Sequence, residues 1–162
     1  MSEITTGQES TQETGQGSTQ ETGTSTVPAS TSVLNLAVES VMDLIDAMDL
    51  YSPILRGALG IGNSLSCEVA PSATEAVFYD KGTYTPILLA LNGKHDNLNV
   101  LTDTMNNIMD TLTQMKTYPS GSGWEIVDIT NGNFPRVIGR EDNNSWVMAC
   151  DIFIKLYRKD ET

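Results

Sequence analysis

The sequence predicts an α+β domain in which two amphipathic helices pack on one face of a mostly antiparallel sheet of about five strands. Three observations predict it. Apolar residues step by three and four over two separate stretches, Leu34 to Met48 and Leu98 to Met115. Alternating, β-rich runs follow the second stretch in close succession up to Arg158. Turn chemistry punctuates those runs at Asp80-Lys81-Gly82, Asn131-Gly132-Asn133 and Glu141-Asp142-Asn143-Asn144.

The 162 residues divide by composition into a leader, 1–32, and a single domain, 33–162. The leader holds only Met1, Ile4, Val27 and Ala29 from the apolar set, and it repeats one word: Ser10-Thr11-Gln12-Glu13-Thr14-Gly15 returns as Ser18-Thr19-Gln20-Glu21-Thr22-Gly23. Ordering a backbone costs roughly 1–2 kcal/mol per residue, and this composition buries too little apolar area to offset it, so the leader is expected to be disordered.

Within the domain, Leu34, Val38, Val41, Ile45 and Met48 line one face of a first helix, with Leu44 widening it. Ser30, Thr31 or Ser32 supplies its cap, and Pro53 closes it. Ile54 to Ser64, interrupted by Gly57, Gly60 and Gly62, reads as a short turn of helix and a loop feeding a strand from Leu65 to Ala70. It lacks the Lys and Ser/Thr of a phosphate-binding loop, which argues against nucleotide binding. Pro71 to Phe78 reads as a loop. A strand from Thr83 to Asn92 follows, with Pro86 suiting a sheet edge or strand start.

The second helix carries Leu98, Leu101, Met105, Ile108, Leu112 and Met115 on one face, capped by Asp96 or Asn97. Beyond Tyr118-Pro119, three strands in a meander are expected: Trp124 to Thr130, Pro135 to Arg140 and Ser145 to Arg158. In the last, Trp146, Met148, Cys150, Ile152, Ile154 and Leu156 form an apolar set that must face the helices.

The formal net charge is −12, and removing the four leader glutamates leaves about −8 on the domain. Gripping nucleic acid needs clustered Lys and Arg, so specific DNA or RNA binding is not expected. Neither is membrane residence, for no apolar run approaches the roughly 20 residues of a spanning helix. Cys67 and Cys150 read as reduced core thiols of a cytoplasmic protein, a disulfide remaining open if their strands are neighbours.

Catalysis needs a nucleophile with its base, paired carboxylates or a metal cluster. The chain has one histidine, His95, in Gly93-Lys94-His95-Asp96-Asn97, and no serine or cysteine motif accompanies it. Asp142, Asp103 and Asp110 lack the spacing of a calcium loop. No catalytic, metal or cofactor site is therefore expected. The residues expected to matter are candidate interface residues: Lys94, His95 and Asp96 between strand and helix, Arg140 and Glu141 at a turn, and Trp146 at the start of the last strand, which like Trp124 reads equally as a core lid or an interface anchor.

The phrases Leu88-Leu89-Ala90-Leu91-Asn92-Gly93-Lys94-His95, Tyr118-Pro119-Ser120, Trp124-Glu125-Ile126 and Ile138-Gly139-Arg140-Glu141-Asp142, together with Trp146, resemble a family of minor capsid proteins from tailed phages of Gram-positive hosts. In element order the chain is similar to tail-terminator, or tail-completion, proteins. The resemblance spans about Leu34 to Arg158. It implies a tail-terminator-like fold and a homo-oligomeric ring, commonly hexameric, at the head–tail neck of a virion assembled in the host cytoplasm. Such a ring caps the tail tube, meets the head-completion or connector protein, and passes DNA through its lumen without binding it specifically. The rival expectation is a small cytoplasmic enzyme or regulatory ligand-binding protein using residues 93–97 as a functional loop.

Overall fold

Ser32 begins the first helix: its Oγ accepts a hydrogen bond from the N–H of Asn35, 3.3 Å away. The computed structural model describes residues 32–70, 76–77 and 82–159; the leader before Ser32, and most of the loop and turn expected around Pro71 to Lys81, lie outside them. Helix α1 runs Val33–Asp46 and buries Ala37, Val38, Val41 and Ile45. Helix α2 runs Leu98–Thr113, with Asn97 as its cap, and buries Leu101, Met105, Ile108, Met109 and Leu112. Burying each of those larger side chains contributes about 1.5–3 kcal/mol, so packing on the sheet, more than intrinsic propensity, holds the helices in place.

The strands are β1 (Ile54–Arg56), β2 (Ser64–Ala70), β3 (Ala76–Val77), β4 (Gly82–His95), β5 (Ser120–Gly121), β6 (Trp124–Arg140) and β7 (Trp146–Lys159). Six of them line up in the order β1-β2-β4-β7-β6-β5, and the two-residue β3 pairs with β4 beside that path. The β1–β2 pair is parallel and the other pairs are antiparallel. The result is a curled half-barrel of mixed strands, and among the described residues strand clearly outweighs helix. This corrects the expected arrangement of two helices on a five-stranded, mostly antiparallel sheet.

Two local misreadings underlie the correction. Ile54 to Ser64 holds a strand where a helical turn and loop were expected. Side chains tie β1 down: the Ile54 N–H donates to Asp46 Oδ1 at 2.7 Å, and Arg56 Nη2 donates to Asn35 Oδ1 at 2.7 Å. Because β1 spans only three residues, the return to Ser64 is short enough for residues 57–63, with Gly57 and Gly62 at positive φ making the turns.

The second misreading is the hairpin at Asn131-Gly132-Asn133. Trp124 to Arg140 is one 17-residue strand, and the Asn-Gly step is a bulge in its ladder with β7. Asn133 Nδ2 donates to Asp151 Oδ2 at 2.5 Å across the ladder, and a Cβ at Gly132 would lie 3.0 Å from the Asp151 carbonyl oxygen. A further irregularity between Asn133 and Arg136 takes up Pro135. Pro86 is in β4, which lies between β2 and β7 in the strand order, but at the proline itself the register among the described residues is with β7, so the expected edge position holds locally. The proline falls in the interval between the β2 ladder, which stops at Leu88, and the β3 ladder, which covers Thr83 and Tyr84.

The helix-facing row of the sheet is apolar, with Leu65 and Cys67 on β2, Ile87, Leu89 and Leu91 on β4, and Met148 to Leu156 in alternation on β7. Cys67 and Cys150 both pair with Leu91, one from each side. Two strand spacings, about 9.6 Å, therefore separate them, beyond the reach of a disulfide, and both are free thiols.

Candidate interface at one end of the sheet

The sheet register brings the six candidate interface residues of the sequence together at one end. His95 pairs with Trp146 across β4 and β7, and Trp146 pairs with Arg140 across β7 and β6. One strand step inward, Lys94 lies between Ser64 and Val147. Residues far apart in the chain thus share one corner because three long strands end level with one another.

Each side chain has a defined partner. Lys94 is 6% exposed and its Nζ lies 3.3 Å from Glu141 Oε2, an ion pair half-open to solvent on the glutamate side. Arg140 stacks over the Trp146 ring with its guanidinium carbon 4.8 Å from the centroid, while its Nε donates to the Asn144 carbonyl at 3.3 Å. The turn holding them is closed by Glu141 N–H to Ser145 O at 2.8 Å and by Asn144 at φ 69.

His95 Nδ1 accepts a hydrogen bond from the Asn97 N–H at 2.9 Å and lies 2.9 Å from Asp96 Oδ1. These two contacts need opposite protonation states, since the first uses the nitrogen lone pair and the second a proton. The imidazole is thus tied to its own chain, and it packs edge-to-face with the Tyr51 ring, their centroids 4.7 Å apart.

Tyr51, Asn63 and Ser64 complete the corner, and sequence reasoning missed all three. The Tyr51 hydroxyl sits 3.2 Å from both the Ser64 and Lys94 carbonyl oxygens, sharing one proton between β2 and β4. Burial pushes its pKa up to about 12. Asn63 clasps Asp96, accepting from its N–H at 3.1 Å and donating to its Oδ1 at 3.3 Å. The only signal in the sequence was the spacing of glycines around Asn63, which marks a tight loop but not what it touches.

Gly93 and Lys94 do not form the flexible loop on which a ligand-binding reading relied; both are inside β4. A Cβ on Gly93 would lie 2.7 Å from Leu101 Cδ1 and 2.9 Å from Met105 Sδ, so α2 rests directly on this backbone. Among the described residues no three His, Cys, Asp or Glu side chains gather as a metal-binding set, and no helix is long and apolar enough to cross a membrane. A hollow of about 320 Å³ opens far from the corner, lined in part by Asp128, Thr130, Phe153 and Lys155 on the face away from the helices. What the corner offers chemically is a rigid mosaic of cation, carboxylate and aromatic surface. The chain matches no protein-family model and no curated protein.

Proposed function

We propose that this protein is a structural subunit of a tailed-phage virion, a tail terminator or minor capsid protein that forms a ring, caps the tail tube and joins it to the head connector. The observation that supports the reading best is the convergence of Lys94, His95, Arg140, Glu141 and Trp146 at one corner, with Asp96 next to His95, since the sequence phrases that resemble the phage family contribute the first five. A corner of fixed strand ends, stacked Arg and Trp, and a half-open ion pair is a surface for another protein. The reading rests on that corner and not on the fold, which differs from the expected one. The net charge of −12 suits a lumen that DNA slides through without adhering.

The test is electron microscopy of tail tubes assembled with the purified protein. Tubes should end in a ring of protein and become competent for head joining. Arg140→Glu, which removes the stack on Trp146 and reverses the charge, should keep the fold and weaken capping by about tenfold. Tubes that grow and join heads identically with or without the protein would remove this function.

A further inference from the structure

The two flanks of the corner carry complementary surfaces. On the β2 side, Ile61 stands at the tip of Gly60-Ile61-Gly62 with its side chain fully exposed (105%). The loop beneath it is held: Ser64 Oγ lies 3.4 Å from the Gly60 and Gly62 carbonyl oxygens, and Asn63 is clasped to Asp96. A fully solvated isoleucine on an anchored tip is a preformed knob, because little further entropy is lost when it is covered. The end of α1 is tied to the same flank, because Asp46 accepts the Ile54 N–H of β1, and it carries the exposed carboxylates Asp43, Asp46 and Asp49.

The opposite flank is the distal arm of β6. Its inner edge is paired with β7, while among the described residues nothing pairs with its outer edge after Ile126. This arm exposes Phe134 (73%), Val137 (46%) and Ile138 (55%), and it carries Arg136 and Arg140. Of the carboxylates beside it, Asp151 is held by the Asn133 amide and Glu141 by Lys94, while Asp142 follows Glu141 in the turn. In a chain of net charge −12, an apolar stretch bearing two arginines opposite an acidic flank bearing an apolar knob is an unequal distribution that suits a second copy of the same chain.

We infer that copies join head to tail, with Ile61 of one seated on the Phe134–Ile138 arm of the next and the acidic end of α1 facing Arg136 and Arg140. The inference rests on the ring reading above and names the surfaces that would close the ring. Such a contact is heterologous, so each copy keeps one free knob and one free arm until closure.

The experiment uses the full chain, with Ile61→Asp and Ile138→Asp made separately and sized by analytical ultracentrifugation. Both positions are exposed, so circular dichroism and melting temperature should match the parent. The parent should sediment as multiples of one chain and each variant as a single chain. A one-to-one mixture should give two-chain species, because the intact knob of the Ile138 variant meets the intact arm of the Ile61 variant. Recovery in the mixture also shows that neither variant is merely misfolded. Variants that keep the parent's size would overturn these surfaces and leave the ring intact. A mixture that stays single-chain would overturn the head-to-tail geometry. A parent that is single-chain at every concentration would overturn self-association through these flanks, and tube capping alone would then decide the function.

Discussion

The Ser66 hydroxyl is 1% exposed and has no hydrogen-bond partner among the described residues, in a row where Ser64 and Lys94 are both satisfied. A buried hydroxyl without a partner forfeits its hydration and gains nothing in exchange, at a cost of about 1–3 kcal/mol. Ser66→Ala should therefore raise stability by about 1 kcal/mol in urea unfolding, the loss of one small atom's packing offsetting part of the gain. A loss of stability would show that the hydroxyl is hydrogen-bonded in solution. The same scale shows why the corner was only half legible. Arg140 is a residue type that announces a surface role, but Lys94, expected at an interface, is buried and Trp146 packs partly on the core. Tyr51 and Asn63 owe their roles to the Ser64 and Lys94 carbonyls and to Asp96, brought to them by the ends of β2 and β4.

At the scale of elements, both helices lie where apolar residues repeat by three and four, because a face that must be buried cannot lose its period. The bulged β6 was not legible. Asn-Gly is the commonest chemistry of a two-residue hairpin, and here it is a bulge whose Asn133 amide donates to Asp151 on the neighbouring strand. β1 was equally hidden, since three residues between Pro53 and Gly57 carry no period, and their pairing is fixed by Asp46 and Asn35 on α1. Gly93 was read as part of a loop, but it is where α2 and β4 touch. Gly93→Ala should cost about 1–3 kcal/mol, because the new methyl must displace Leu101 and Met105 from a packed core. Thermal unfolding would check it, and an unchanged melting temperature would mean that α2 shifts freely on the sheet.

The described domain is one curled sheet with its helices on the apolar face, and its titration at high pH follows from what that face contains. Burial raises the pKa of Cys150 from 9.0 to about 12, with Asp151 adding to the rise and Arg136 opposing it. Burial likewise raises Cys67, and it takes Tyr51 from 10.0 to about 12. A group whose pKa is higher in the folded chain keeps its proton while the unfolded chain releases one, so unfolding becomes easier as pH rises. The stabilisation is complete below about pH 9, where both states hold the thiol protons, and it drains away between pH 9 and 12. Each fully buried thiol contributes a slope on the order of 1.4 kcal/mol per pH unit in that window. Urea unfolding at pH 7, 9, 10 and 10.5 should show stability level up to pH 9 and falling beyond it, with Tyr51 steepening the fall above pH 10. Cys150→Ala should lower stability at pH 7 by roughly 1 kcal/mol through lost packing, yet flatten the fall above pH 9 by one group's share. If the variant falls as steeply as the parent, Cys150 is reached by water in the folded chain and the two-sided cover of β7 by β4 and β6 is looser than the register implies.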